Sequence, residues 1–210
     1  MVTKGKSSPP SHRESLLKEG MRMFYATGFN GTSVDDVLAA AGAPKGSFYH
    51  HFGSKDDFAF AVLEEYTKQQ LKTVEKCANA DHLSAYQKIE SYFDTLINRI
   101  ERSRCKMACL AGKFSSELAP NSDAVSSAVS ASLETWRLAI TELVAAGHQD
   151  GSIRKDMAPE QQGFLLQALM QGSLVMVLAD RSTDNLITIR NMLPQLLSVP
   201  GVAKTRSTLN

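Results

Sequence analysis

Residues 32–55, Thr32-Ser-Val-Asp-Asp-Val-Leu-Ala-Ala-Ala-Gly-Ala-Pro-Lys-Gly-Ser-Phe-Tyr-His-His-Phe-Gly-Ser-Lys55, decide the fold. Two short helices separated by a glycine turn fit this span. Ser33 is placed to cap the first helix, with Val34, Val37 and Leu38 at the spacing of one buried face. The run Ala39-Ala40-Ala41 keeps that helix slim, so a second helix can cross it closely. Gly42 supplies a left-handed helix end, and Pro44 is preorganised to start the next helix, over 44–51. On that helix Phe48 points inward, while Lys45, Gly46, Ser47 and Tyr49 face out. Ser54 caps again. This is the layout of a helix-turn-helix, with polar and basic groups where a major groove would lie.

Helical periodicity continues on both sides. Upstream, Leu16, Leu17, Met21, Phe24 and Tyr25 predict a helix from Arg13 that Gly28 closes. Downstream, helices are expected over 55–78 and 84–103. A further helix is expected from near Cys105 to Leu118, stopped by Pro120. Three more are expected over 122–148 (ending at Gly147), 159–180 and 184–198. No strand or internal repeat is evident. The expected architecture is all-α: a flexible arm (1–11), a helix-turn-helix domain (12–57), a larger helical regulatory and dimerisation body (58–200) and a tail (201–210).

The 210 residues are 43% hydrophobic, ample for a buried core, and the formal net charge is +1. Global charge therefore gives no argument for nucleic-acid binding, and any electrostatic footprint must be local. Residues 1–55 hold seven Lys and Arg against four Asp and Glu, among them the adjacent pair Asp35–Asp36. Three cysteines argue against a disulfide-stapled secreted chain. The polar N-terminus lacks the apolar core of a signal peptide, and the stretch Phe164–Ala179, broken by Gln167, Gln171 and Ser173, falls short of a bilayer span. A cytoplasmic protein without a membrane partner, metal or cofactor is the expectation, and no residue is assigned a catalytic role.

In a recognition helix placed this way, Lys45 donates to guanine acceptors, Ser47 meets a base or phosphate, and Gly46 allows close backbone approach. Thr32, Ser33, Tyr49, His50, His51 and Lys55 are expected mostly at phosphates, which set register without reading sequence. For Tyr49, His50 and His51 the alternative is packing against the next helix.

The stretch from about Arg13 to Tyr66 resembles the DNA-binding region of TetR-type bacterial transcriptional repressors. The matching pieces are Phe24-Tyr-Ala-Thr-Gly-Phe29, Thr32-Ser33, Val37, Ala41-Gly42, Lys45-Gly-Ser-Phe-Tyr-His-His-Phe52 and Lys55. The resemblance implies a ligand-responsive repressor that binds a double-stranded DNA operator as a homodimer and leaves it when a small-molecule inducer binds the helical body. A two-fold dimer presents its recognition helices to half-sites about 34–36 Å apart. Gly163, Leu166, Met170, Gly172, Ser173 and Val177, with Ile189, Leu193 and Leu197, suit a four-helix contact between two subunits. Tyr92, Phe93, Met107, Phe114, Trp136, Met170 and Met176 are candidates to line an apolar inducer pocket; for each, an ordinary core position is the alternative.

One segment of the body carries its own chemistry. Arg102-Ser-Arg-Cys105-Lys-Met-Ala-Cys109-Leu-Ala-Gly-Lys113 sets two thiols four residues apart among four cations. A helix starting near Cys105 would turn its positive end toward a thiolate. The run Cys109–Leu118 is similar to a segment of TetR-type regulators that respond to electrophiles such as quinones, aldehydes, maleimides or acrylate. Those usually carry Gly before the matching cysteine, where Ala108 stands here. Cys109, with Cys105, is the candidate sensor; the alternative is a small buried apolar residue. Two other functions remain open: an all-helical thiol-dependent redox protein using Cys105 and Cys109, and a helical adaptor whose head has lost DNA binding.

Overall fold

A computed structural model describes residues 11–199. The first ten residues, which make up nearly all of the expected arm, and the tail 201–210 lie outside the described residues. The described residues form nine α-helices and no strand: α1 His12–Thr27, α2 Val34–Ala41, α3 Lys45–Phe52, α4 Lys55–Ala78, α5 Ala85–Arg102, α6 Leu110–Glu117, α7 Asp123–Asp150, α8 Pro159–Asp180 and α9 Asp184–Leu197, with a single 3-10 turn at Ala119–Asn121. They fall into two compact units. The first holds the chain up to Tyr66 together with Leu110–Ser132. The second holds Thr67–Cys109 together with the residues from Leu133.

In the first unit α1 packs on α2, α3 and α6. Its core is aromatic. Phe58 lies 5.8 Å from Phe24, 5.0 Å from Phe48 and 4.8 Å from Phe52 between ring centroids, in the tilted and edge arrangements that aromatic quadrupoles favour. The caps follow the local code. Ser11 forms a capping box with Glu14, and Ser33 and Ser54 accept the N–H groups of Asp36 and Asp57. Gly42 has φ +61°; its N–H and that of Ala43 return to the carbonyls of Ala39 and Leu38. This double bond closes a helix only when the residue after its end is left-handed. Pro44 is the N-cap residue of α3, so the helix starts one residue later than expected. Val37 and Leu38 are buried but Val34 is half-exposed, and Ala39 and Ala40 face solvent.

In the second unit α9 packs on α5 and α8. Arg190 on α9 donates to both oxygens of Asp94 at 2.8 and 3.0 Å and reaches Glu90 at 3.4 Å. The N-terminus of α5 is held from outside its own helix: Asp150 accepts the N–H of Ala85 at 2.8 Å, and Ser152 that of Tyr86 at 3.1 Å. α7 runs on through Gly147 to Asp150. A Cβ on Gly147 would stand 2.4 Å from Ile153 Cδ1, so this glycine admits the buried Ile153 and does not end the helix. α8 has the length and apolar composition of a membrane-crossing helix, against the shortfall expected from its sequence. Its inner side nonetheless carries bonded polar groups. Gln162 meets His148 at 2.7 Å, and Gln167 donates to the Leu133 carbonyl at 2.7 Å.

Candidate functional site

The eight residues of α3 divide sharply by face. Phe48 and Phe52 are buried, while Lys45, Gly46, Tyr49, His50 and His51 are exposed and Ser47 is half-exposed. Tyr49 is 49% exposed, with its ring edge-on to Phe48 at 5.4 Å. Beyond its chain neighbours and its own helix backbone, nothing among the described residues lies within 4 Å of the place a Cβ on Gly46 would occupy. Packing against the next helix therefore does not account for Tyr49, His50 or His51. Lys55 extends its ammonium over the Phe29 ring, 4.2 Å from the centroid.

Asp35, one of the adjacent acids Asp35 and Asp36, lies 3.4 Å from Lys45 Nζ, and both side chains are mostly in solvent. The other, Asp36, serves its own helix: Ser33 Oγ donates to its carboxylate and accepts its N–H. Thr32 departs from expectation. It is 4% exposed, its hydroxyl donates to the Gly28 carbonyl at 2.7 Å and lies 2.9 Å from the Thr27 hydroxyl. A side chain closing the α1–α2 turn from inside is not offered to a phosphate.

The cysteine segment also differs from expectation. Arg104 and Cys105 have φ of +54° and +58°, and their N–H groups return to the carbonyls of Glu101 and Ile100. This double return ends α5. The next helix starts at Leu110, so Cys105 and Cys109 share no helix, and the positive end of α6 falls beside Cys109 instead of Cys105. None of the three cysteines is in a disulfide; Cys109 and Cys77 are buried and Cys105 is partly exposed. No group of residues suited to a metal is found among the described residues.

Immediately after Cys109 the chain passes from the second unit into the first, and α6 grips the end of α1. Lys113 Nζ donates to the Tyr25 carbonyl at 2.7 Å, supplying a cation to a helix end that has no basic residue of its own. One turn later Glu117 Oε2 accepts the N–H of Phe29 at 2.8 Å. Gly28 has φ +73°, and a Cβ there would stand 2.1 Å from Glu117 Oε1. Phe114 lies between them in sequence and meets Phe24 edge-on at 5.5 Å. Sequence reading missed the roles of Lys113 and Glu117. Their i, i+4 spacing was visible, but their partners lie 88 residues away.

Of the other candidate ligand residues, Tyr92, Phe93, Trp136 and Met170 are core positions of the second unit. Trp136 donates its indole N–H to the Tyr92 hydroxyl at 2.7 Å, and burial pushes the Tyr92 phenol far above its ordinary pKa. Phe114 belongs to the first unit, Met107 is half-buried, and Met176 points into solvent. The expected subunit contact also needs correction. Gly163, Leu166, Met170, Ser173, Val177, Leu193 and Leu197 are buried within the chain itself, and Ile189 is half-buried. Of that set only Gly172 is exposed. It belongs to another stripe of α8, formed by Phe164, Ala168, Gly172 and Val175, with Met176 and Leu178 beside it.

A sequence model of the tetR family of bacterial regulatory proteins matches residues 16–62, and one of the tetracyclin repressor-like C-terminal domain matches residues 85–193. The chain belongs to the TetR family. Among its TetR-type relatives, the transcriptional repressor DhaR of Mycobacterium sp. (strain GP1) is 32% identical over 198 residues, 94% of each chain. The repressor NemR of Escherichia coli (strain K12) is 25% identical over 190 residues, 90% of this chain and 96% of the relative. A crystal structure of E. coli NemR in its reduced form matches with a TM-score of 0.83 at 26% identity, covering 91% of this chain and 99% of that one. A TetR regulatory protein from Rhodobacter sphaeroides shares the fold at a TM-score of 0.83 and 22% identity, over 89% and 98% of the two chains. As a TetR-family member the chain is a ligand-responsive, DNA-binding transcriptional repressor, and the redox-protein reading is not favoured.

Proposed function

We propose that the chain acts as a cytoplasmic, non-enzymatic homodimer that reads its operator with the outward face of α3. The observation that carries this is the sorting of α3, where two buried phenylalanines anchor a helix whose every basic or small polar residue is accessible. Lys45 and Ser47 meet base edges, and Gly46 lets the backbone approach. Tyr49, His50, His51, Lys55 and, at the start of α2, Ser33 hold phosphates. Pairing places the α8 stripe around Gly172 against its copy, with Phe164 and Val175 flanking the small residues. A mobility-shift titration against the DNA beside its own gene tests the reading. Sequence-specific binding that weakens steeply with salt is expected, and binding indifferent to sequence refutes it.

We further propose that Cys109 is the inducer-responsive thiol. Its position supports this: it is the last residue before α6, the helix whose Lys113 and Glu117 hold the end of α1. An activated alkene adds to the thiol with one new C–S bond, the thiol proton passing to the neighbouring carbon, so no oxidant and no leaving group are needed. The adduct enlarges a buried side chain (6% exposed), and a close-packed interior takes up added volume only by displacing neighbours. N-ethylmaleimide should release operator from wild type and from Cys105→Ser but not from Cys109→Ser. Release from all three places induction elsewhere.

A further inference from the structure

We propose that a cleft of about 470 Å³ in the first unit is a binding site for lipophilic organic cations. Among the described residues, all that line it belong to that unit. Its volume falls within the range of about 300–1,000 Å³ usual for small-molecule sites. Three phenylalanines contribute to the walls: Phe29 after α1, Phe60 on α4 and Phe114 on α6. Two carboxylates join them, Asp56 and Glu117, and no Lys, Arg or His among the described residues lines the cleft. Glu117 is held in place through its bond to the Phe29 N–H.

Aromatic faces and carboxylates together select the sign of charge. Ring quadrupoles attract a cation at their faces, and fixed carboxylates reinforce the attraction in a sheltered site. An anion of the same shape meets repulsion from both groups. Lys55 Nζ, which does not line the cleft, lies 4.2 Å from the Phe29 centroid, so the face of that ring turned to Lys55 is already engaged and the two carboxylates carry the selection for positive charge. A delocalised cation bearing aromatic or alkyl groups fits better than a small hydrated one, because most of the named walls are hydrocarbon. An occupant touches Phe29 and Glu117, the two partners that tie the loop after α1 to α6, so it bears directly on the segment leading into α2 and the recognition helix α3.

The test is titration calorimetry of the full chain, in potassium-free buffer, with tetraphenylphosphonium and its isosteric anion tetraphenylborate. One phosphonium per chain is expected, bound about tenfold or more tighter than the borate. Asp56→Asn should weaken the phosphonium about fivefold, and Ala124→Phe, filling the cleft from an exposed position on α7, about tenfold or more. Circular dichroism and the thermal midpoint establish that both variants fold. No phosphonium binding, equal binding of the two ions, or unchanged affinity in either variant overturns the proposal.

Discussion

Glu117 and Gly28 fit together as a carboxylate and the space that a missing side chain leaves. One Glu117 oxygen accepts the Phe29 N–H at 2.8 Å, and the other stands 2.1 Å from where a Cβ on Gly28 would be. Glu117→Ala leaves the Phe29 N–H without this partner and should destabilise the chain by about 1–3 kcal/mol in urea denaturation. Gly28→Ala meets both the clash and the strain of a positive φ. The double variant relieves the clash, so its loss should be smaller than the two single losses added together. Strict additivity would show that the two positions do not interact.

The Lys45–Asp35 pair makes an opposing prediction about affinity. Exposed pairs of this kind contribute about 0–1 kcal/mol, so the free protein loses little when it is broken. Asp35→Asn removes a negative charge near the recognition helix and frees the Lys45 ammonium. DNA affinity should rise a few-fold, with the gain shrinking as salt increases. Lys45→Ala should lower affinity for the operator more than for random DNA; equal losses reassign Lys45 to a phosphate.

Trp136, the single tryptophan, reports on the second unit. Tyr92→Phe removes the acceptor of its indole N–H inside the core, costing about 1–3 kcal/mol. A lower thermal midpoint with a shifted tryptophan emission is expected. Unchanged stability would mean that water replaces the hydroxyl.

Asp150 links stability to acidity. Partial burial works against its charge, but the N–H of Ala85 and the hydroxyl and N–H of Ser152 hold its pKa below the ordinary carboxylate value. A folded-state pKa depressed in this way contributes stability that is present above the unfolded value and lost as pH falls through the folded one. The stability gap between wild type and Asp150→Asn should therefore narrow as pH drops from about 6 to about 3. A constant gap would assign the effect to shape instead of charge.

The α8 stripe predicts the assembly. Val175 is 68% exposed, so Val175→Lys has little to disturb within one chain. It should convert a dimer into a folded monomer in analytical ultracentrifugation, whereas an unchanged dimer moves the interface elsewhere.

What was legible in the sequence is what adjacent residues settle among themselves. Ser33 and Ser54 cap helices through N–H groups three residues on, Gly42 ends α2 through carbonyls three to four residues back, and the burial of Phe48 follows from helical period. Ala39, Ala40 and Val34 were misjudged because period gives a face but not what covers it. Cys105 was placed on a helix because two residues with left-handed φ, neither of them glycine, leave no signature in composition.

By itself, then, the sequence determined an all-helical chain with a helix-turn-helix near its start, since caps and turns are decided within a few residues. Tertiary structure decided the rest. α8 is apolar on most of its circumference, so periodicity could not say which side the chain buries and which it leaves for a partner; packing chose Leu166, Met170 and Val177 for the core and left Phe164 and Val175 outside. It also turned the Thr32 hydroxyl inward and gave Lys113 and Glu117 partners 88 residues distant. Such contacts depend on where whole helices come to rest, and no local pattern in the chain encodes that.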